Sequence, residues 1–176
     1  LSGELAPSGK VIGAATIKGA AIGDWILTTG GTGTITVGST SAAFSLTGVG
    51  QVVGFVSNGD LLGAISALYF DTISAKGLVT ANITASGATL PAAGNKAIGT
   101  FTGGSVVDTT ITANAGGIGT LTALEWLDTG DAAVEISTRW ITTMNVPGRT
   151  ATILLAALAG NFQADMTLSG ELAPSG

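Results

Sequence analysis

The six residues GTITVG at positions 33–38 decide the fold of this chain, because their pattern returns along most of its length. Apolar and hydroxyl side chains alternate and glycine closes the block, which is typical of a half-buried strand that ends in a turn. Six further blocks repeat the pattern with variations. They are GAATIKG at 13–19, GFVSNG at 54–59, DTISAKG at 71–77, GTFTGG at 99–104, GTLTA at 119–123 and TTMNVPG at 142–148.

A second series of alternating blocks lies between the members of the first. It comprises DWILT from Asp24, AFSLT from Ala43, AISAL from Ala64, ANITA from Ala81, TITA from Thr110, VEIST from Val134 and ATILL from Ala151. The alternation predicts which side chains point inward. In the first series these are Ala15/Ile17, Ile35/Val37, Val56/Asn58, Ile73/Ala75, Phe101/Gly103, Leu121/Ala123 and Met144/Val146. In the second they are Trp25/Leu27, Phe44/Leu46, Ile65/Ala67, Ile83/Ala85, Ile111/Ala113, Val134/Ile136 and Ile153/Leu155.

The two series keep step at intervals of about 20 residues, which predicts a winding repeat fold. We therefore expect an all-β parallel β-helix, or β-solenoid, of about eight coils with about 21 residues each. One long interval holds SGATLPAAGN at 86–95, which is interpreted as a loop. A β-sandwich or barrel also has many short strands, but it gives no reason for two interleaved series to stay in phase.

The nonapeptide LSGELAPSG stands at both 1–9 and 168–176, a displacement of 167 residues. It predicts that residues 1–176 are a single solenoid segment, with 1–167 as one repeat period and 168–176 as the start of the next. In this interpretation the eighth coil runs through NFQADMTLSG at 161–170, with Phe162, Ala164, Met166 and Leu168 inward. Both ends are expected to be uncapped, so that another copy covers them. The predicted self-association residues are Leu1, Ser2, Gly3, Glu4, Leu5, Met166, Thr167, Leu168, Ser169 and Gly170. An engineered circular permutation or a cloning duplication would explain the same repeat.

Composition argues against several classes of function. The 176 residues include 28 Gly, no Cys and no His, and 6 basic against 11 acidic residues give a net charge of −5. Nucleic-acid binding depends on clustered Lys and Arg, so it is not expected. No disulfide is expected because the chain has no Cys, and no cofactor is expected. Membrane insertion is not expected, since no apolar run is long enough to span a bilayer.

No catalytic group is predicted. Pectate-lyase-like enzymes also use parallel β-helices, but they need carboxylates clustered with Lys or Arg on one face. Here the basic residues are scattered over different coils. They are Lys10, Lys18, Lys76, Lys96, Arg139 and Arg149. We therefore expect that the chain is not an enzyme, with a polysaccharide-active enzyme as the hypothesis for a cleavage assay to test.

Hydroxyl residues flank inward positions in several coils. The T-x-T or T-x-S units are Thr34/Thr36, Thr72/Ser74, Thr100/Thr102, Thr110/Thr112 and Thr120/Thr122. This arrangement resembles the threonine arrays of β-solenoid ice-binding proteins, which order water. Ala14/Thr16, Phe55/Ser57 and Thr143/Asn145 interrupt the array. Threonine is also a common outward residue of strands, so a purely structural role explains the pattern as well.

Two further motifs are weaker. GGTGTITVG at 30–38 and GGIGTLTAL at 116–124 resemble the glycine-rich repeat of calcium-binding RTX proteins, but Ile35 and Leu121 stand where that motif needs Asp, so no metal is expected. LDTGD at 127–131, near Glu125 and Glu135, is interpreted as a solvated turn rather than a cation site or protease motif.

Tryptophan adds little to the case for ligand binding. Trp25 falls on an inward position. Trp126 and Trp140 lie near turns, where packing in the core or in a subunit contact explains them better than stacking on a sugar.

The whole chain resembles the β-solenoid regions of bacterial adhesins and fibre-forming surface proteins in its Gly, Thr, Ser and Ala content, its low charge and its lack of Cys. That resemblance implies a secreted, extracellular role as a rod, stalk or filament at the cell surface. The expected partners are head-to-tail copies of the chain itself, with lateral bundling and surface glycans as further expectations. The alternative function is a binding module for ice or carbohydrate that uses the threonine-rich face.

Overall fold

The computed structural model describes residues 9–89, 94–130 and 134–170, which form fourteen β-strands and no helix. The strands alternate between two stacks, called here the first and the second sheet. The first sheet contains β1 (Lys10–Ala21), β3 (Gly31–Thr40), β5 (Gln51–Ser57), β7 (Tyr69–Ala75), β9 (Lys96–Val107), β11 (Gly117–Leu127) and β13 (Ile141–Asn145). The second contains β2 (Asp24–Leu27), β4 (Ser45–Gly48), β6 (Leu61–Ala67), β8 (Leu78–Ala85), β10 (Thr110–Ala113), β12 (Ile136–Thr138) and β14 (Met166–Leu168).

Every strand pairs in parallel with the next strand of its own sheet, one full turn further along the chain. This pairing confirms the predicted parallel β-solenoid. Each sheet contains six such steps, so the solenoid has about six turns and the predicted number of eight is wrong. The last two predicted coils form one rung, because ATILL at 151–155 lies outside both sheets and Met166–Leu168 supplies the strand that follows β13. Each sheet therefore has seven strands, which are separated by six turns of the chain.

The core consists of inward columns in which side chains of successive turns lie on top of one another. One column of the first sheet contains Ala15, Ile35, Phe55, Ile73, Phe101, Leu121 and Met144. A second column, which the sequence analysis missed, contains Ile12, Thr32, Val52, Phe70, Ile98, Ile118 and Ile141. The middle five members of each column are buried. Large branched and aromatic residues suit these positions because parallel strands pack closely on both neighbours.

The inward positions of β5 differ from the predicted pair Val56/Asn58. Phe55 and Ser57 are buried instead, while Val56 is half-buried and Asn58 is exposed. Pairing with the neighbouring turns sets this phase, because Phe55 lies between Ile35 and Ile73. A shift of one residue would turn every side chain of the strand to the other face.

Three other predicted inward pairs are wrong in whole or in part. Ile136 is buried, but Val134 is 48% exposed and Thr138 is the second inward residue of β12. Ile153 is fully exposed and Leu155 is half exposed, since their segment does not join either sheet. Met144 continues its inward column, yet it is 46% exposed because no described turn covers it. Val146 lies beyond the end of β13 and is half-buried.

A third, narrower wall closes each turn between the two sheets. The ends of β6, β8, β9 and β11 pair there, and a bridge to Phe162 extends the wall into the last turn. Its inward column contains Leu61, Val79, Val106, Trp126 and Phe162. Because β9 pairs with both β7 and β8, all fourteen strands form one continuous sheet around the core.

The long interval between β8 and β9 is a loop, as predicted. Its two described ends lie together, since Thr89 N–H donates to the Lys96 carbonyl (2.8 Å) and Lys96 N–H donates to the Thr89 hydroxyl (2.9 Å). The longer connection therefore leaves the pairing of β9 with β7 undisturbed.

Candidate functional site

The first described turn leaves an apolar concavity at its end of the solenoid. The opening has a volume of about 450 Å³ and is lined by Ile12, Ala15, Asp24, Trp25, Ile26 and Leu27. Trp25 was predicted to lie in the core, but it is only half-buried, and its ring makes a T-shaped contact with Phe44 at a centroid distance of 5.6 Å. Among the described strands, β1 pairs with β3 and β2 pairs with β4, so this turn stands at one end of both sheets.

The last described turn presents the complementary surface. Met144, Met166 and Leu168 continue inward columns of the two sheets and are 46%, 41% and 51% exposed. Among the described residues β13 pairs with β11 alone and β14 with β12 alone. The outer edges of both strands therefore remain free of strand partners within the described part of the chain, and such edges are templates for further pairing.

Half of the predicted self-association residues can be placed. Met166, Thr167 and Leu168 form β14, and Ser169 and Gly170 follow it. The N–H groups of Ser169 and Gly170 donate to the carbonyls of Thr138 (3.0 Å) and Arg139 (3.4 Å). Leu1, Ser2, Gly3, Glu4 and Leu5 lie outside the described residues, as do 171–176. The expectation that both ends are uncapped depends in part on those residues and stays a prediction.

Outward hydroxyl groups form two adjacent columns on the first sheet. One contains Thr34, Thr72, Thr100, Thr120 and Thr143, with Gly54 and Ala14 as its other members. The other contains Thr16, Thr36, Ser74, Thr102 and Thr122, with Val56 and Asn145 as its other members. Neighbours are spaced by about 4.8 Å along a column and by about 6.7 Å across the two. The predicted stacking of T-x-T units is confirmed for these strands.

A further hydroxyl column, which was not predicted, lies on the second sheet. Thr110 and Thr112 belong to this sheet and not to the first. The column runs without interruption through Thr47, Ser66, Thr84, Thr112, Ser137 and Thr167, and begins at Ile26. Its signal was present in three of the second-series blocks, where Ser66, Thr84 and Thr112 lie between the two predicted inward positions.

A shallow groove borders the hydroxyl columns of the first sheet. It has a volume of about 240 Å³, and Gly103 and Gly104 form its floor between Ser74, Thr102 and Thr122. Lys76 is the one charged residue among those that line it. The described residues that line the groove therefore offer hydroxyl groups and the Lys76 ammonium group.

The acidic segment near residue 128 forms a turn, as predicted. Gly130 has a positive φ of 103° and its N–H donates to the Asp128 carboxylate (2.7 Å). The Thr129 hydroxyl and N–H both donate to Asp108 (2.6 and 2.8 Å), and these hydrogen bonds lower the pKa of Asp108. Within the described residues no three carboxylates lie close enough to hold a metal ion, and Asp131 is not among them.

Two of the tryptophans are packed inside the solenoid, as expected if they belong to the core. Trp126 is fully buried between Phe101 and Phe162, at ring-centroid distances of 6.0 and 5.9 Å. Trp140 is 5% exposed and lies against Gly117, at a point where an added Cβ atom would overlap the indole ring. Neither ring offers a face on which a sugar can stack. Ile35 and Leu121, from the RTX-like stretches, are likewise buried in the core.

An apolar arm projects between β13 and the last part of the third wall. Arg149 and Leu158 form a pair of antiparallel hydrogen bonds at its base (2.9 and 2.8 Å). At its tip Ile153, Leu154 and Leu155 are 103%, 90% and 50% exposed. This exposed apolar cluster is called here the arm tip, and the strand prediction for 151–155 had placed two of its members, Ile153 and Leu155, in the core.

The chain matches no protein-family model, no curated protein and no solved structure. Within the residues that the structure covers, no helix is long and apolar enough to cross a membrane.

Proposed function

We propose that this chain is a structural unit of a rod that grows when copies stack end to end and continue one another's β-solenoid turns. The observation that carries the proposal is the matched exposure of the first and last described turns. One turn presents an apolar concavity around Trp25 and Ala15, and the other presents Met144, Met166 and Leu168.

Stacking would bury these groups and pair the free strand edges. Covering a large apolar side chain completely stabilises an association by about 1.5–3 kcal/mol, so each of the three half-exposed residues of the last turn contributes about 1 kcal/mol. The edges of β13 and β14 would gain parallel hydrogen bonds of the kind already present at each internal step. Every backbone ladder would then run the length of the rod, which hinders proteases that need an extended, unpaired segment.

The rod is proposed to act outside the cell, as a stalk or filament with a mechanical role and no enzymatic one. Three features support this placement: the low charge, the absence of Cys and the resemblance to the solenoid regions of fibre-forming surface proteins. Head-to-tail copies of the same chain are its proposed partners.

Electron microscopy of the purified chain tests the proposal. Stacking adds one step between copies to the six steps within each, and seven steps of about 4.8 Å predict an axial repeat of about 34 Å. Unbranched fibres with this repeat support the rod. Particles that stay compact and monomeric at millimolar concentration overturn it.

A lysine substitution on the exposed end surface, compared with one on the side of the rod, tests whether the ends form the contact. Met144→Lys places an ammonium group in the apolar contact, so we expect fibres to require at least a tenfold higher concentration. Thr84→Lys adds the same charge to the side of the rod, in the middle of the second sheet, and should leave the fibres unchanged.

A second candidate function is binding of ice or a carbohydrate, which the paired hydroxyl columns of the first sheet favour. From β7 to β11 both columns carry a hydroxyl residue at every turn. Six hydroxyl groups thus form a regular two-by-three array on one face. Such a repeat can hold water or sugar hydroxyls at fixed spacing.

A thermal-hysteresis assay of the single chain tests this alternative for ice. If the array binds ice, Thr100→Lys in its centre abolishes the hysteresis, while Thr84→Lys on the second sheet retains it. Absence of hysteresis in the unmodified chain removes the ice-binding candidate and leaves the rod proposal intact. A glycan array with the same two variants tests the carbohydrate candidate.

A further inference from the structure

The chain contains an internal counterpart of its repeated ends. The segment LSGELAPSGKVIG at 1–13 and the segment ASGATLPAAGNKAIG at 85–99 share Ser-Gly, then Pro, then Gly, then Lys-x-Ile-Gly in the same order. The internal segment is two residues longer. In the structure it connects the end of β8 to the start of β9, and so leads the chain from one turn into the next.

The described part of the carboxyl-terminal copy begins with the same geometry as this internal connection. After β8, the N–H groups of Ser86 and Gly87 donate to the carbonyls of Ala67 (3.0 Å) and Leu68 (2.7 Å) in the turn below. After β14, the N–H groups of Ser169 and Gly170 donate to the carbonyls of Thr138 and Arg139 in the turn below. The chain therefore leaves β14 along the path by which it leaves β8.

The internal connection shows where such a path leads. The strand that follows it, β9, lies on β7, with Ile98 on Phe70, Phe101 on Ile73 and Thr102 on Ser74. In the shared motif Lys96 and Ile98 correspond to Lys10 and Ile12, which begin β1. A second β1 that follows the same connection after Gly170 would accordingly reach the free edge of β13.

We propose that β1 of a following copy pairs in parallel with β13 of the preceding copy, with Ile12 on Ile141, Ala15 on Met144 and Thr16 on Asn145. The inference rests on the proposed rod and gives the register of its junction. Each of these pairs joins residues that already occupy the same column. The second sheet continues in the same way, with Trp25 on Met166 and Leu27 on Leu168.

The side chains at the junction are complementary in size. Met144 is large and exposed, and Ala15 is the smallest member of its column, so the methionine can enter the concavity beside Trp25 without a clash. A shift of two residues along the strand would place Met144 over Ile17 or Gly13. Such a shift would also move the inward residues of β2 in one copy out of line with those of β14 in the other. Both sheets together therefore set the register.

A two-copy chain tests the register independently of fibre growth. Leu1 of the second copy follows Thr167 of the first, so that one nonapeptide joins them. The natural chain has no cysteine, so Asn145→Cys in the first copy and Thr16→Cys in the second are the only thiols. Paired strands hold Cα atoms about 4.8 Å apart, which is within the range of about 4.4–6.8 Å that a disulfide spans.

The matched control moves one thiol along the strand. In the same two-copy chain, Lys18→Cys replaces Thr16→Cys, and the predicted Cα separation from position 145 rises to about 8 Å, too far for a disulfide. We expect the 145–16 pair to oxidise at least tenfold faster than the 145–18 pair, as measured by mass spectrometry of peptides after proteolysis. Val56→Cys with Ser74→Cys, which are neighbours within one copy, is the folding reference.

Two outcomes overturn the inference. One is a 145–18 pair that oxidises as fast as the 145–16 pair. The other is a 56–74 reference that forms in the single chain but not in the two-copy chain, because continuation through the junction would then disrupt the fold. If the register fails in this test while the single chain still forms fibres, the rod proposal stands without it. If the 145–16 pair oxidises faster but the single chain remains monomeric, the proposed growth of a rod by association is wrong, while the proposed register of the junction stands.

Discussion

At the residue scale, glycine occupies the places where two turns approach most closely. Gly33 is the clearest case, because a Cβ atom added there would overlap the carbonyl oxygen of Gly13 in the turn below. Gly13 holds the same column position in the first described turn, where a Cβ atom would meet nothing within 4 Å. The same residue type therefore has different importance at equivalent positions of successive turns.

Alanine substitution should separate these two glycines. We expect Gly33→Ala to lower the free energy of unfolding by about 1–3 kcal/mol, since the backbone of one turn must shift to relieve the overlap. Gly13→Ala should change it by less than about 0.5 kcal/mol. Urea unfolding of both variants is the measurement, and equal stability of the two would contradict the close contact at Gly33.

A second prediction at this scale concerns the Asp108 carboxyl group. Hydrogen bonds from the Thr129 hydroxyl and N–H hold its pKa below the ordinary value. Because the folded pKa is the lower one, the stabilising contribution is present above the ordinary pKa and is lost as the pH falls through the folded pKa. Thr129→Val removes the hydroxyl donor, so the pKa of Asp108, measured as its NMR titration midpoint, should rise toward the ordinary value of an aspartate. Thr122→Val, far from this carboxyl, should leave the midpoint where it is.

At the scale of the element, the alternating pattern of the sequence predicted parallel strands and most inward columns, because both sheets repeat this pattern at nearly constant intervals. It failed where a block has apolar side chains in both phases. In β5 the adjacent residues Phe55 and Val56 fit either face, and only pairing with Ile35 and Ile73 selects Phe55. No rule of local alternation contains that information.

The arm shows a different cause of failure. ATILL at 151–155 alternates as a strand does, but Gly148 and Gly160 flank it with φ values of 72° and 73° and approach each other at its base. These two glycines turn the chain away from the sheet before the segment can pair. At the proposed site, the repeated nonapeptide predicted that copies meet at their ends, and this stays a prediction. The apolar concavity beside Trp25 could be recognised only from the fold.

The arm tip gives a prediction of its own. Ile153→Ser combined with Leu154→Ser should leave the melting temperature nearly unchanged, because surface substitutions rarely alter stability by more than about 0.5 kcal/mol. It should reduce the binding of a hydrophobic dye and the sideways clustering of rods in electron micrographs. Ile73→Ser, in the buried column, should by contrast unfold the chain. Cooperative destabilisation by the arm-tip variant would show that this segment packs in the core.

At the scale of the whole molecule, charge opposes the stacking that the apolar ends favour. Each chain carries a net charge of −5. The proposed register also brings Asp24 of one copy next to Asp165 of the preceding one, since these residues come immediately before Trp25 and Met166. Like charges placed opposite each other in a sheet destabilise the pairing by up to about 1 kcal/mol.

Assembly should therefore respond to salt and to the removal of one carboxylate. Raising the ionic strength from 0.01 to 0.15 M shortens the screening length from about 30 to about 8 Å, so fibres should form at lower protein concentration. Asp165→Asn should lower the threshold concentration about two- to fivefold, the equivalent of up to about 1 kcal/mol. Asp71→Asn removes the same charge in the middle of the rod and is the control. Light scattering measures both thresholds, and an equal shift for the two variants would argue against a carboxylate contact at the junction.

The chain adds one strand to each sheet for every turn of about 20 residues. This winding determines how such a rod extends under force. A turn that peels away gives up only about 4.8 Å of rod but frees a segment that extends to about 70 Å. Pulling would therefore lengthen the molecule in increments of about 65 Å while the remaining turns stay wound. A stalk built in this way extends under a sudden force by unfolding one turn after another instead of breaking, and its turns can refold when the force is removed.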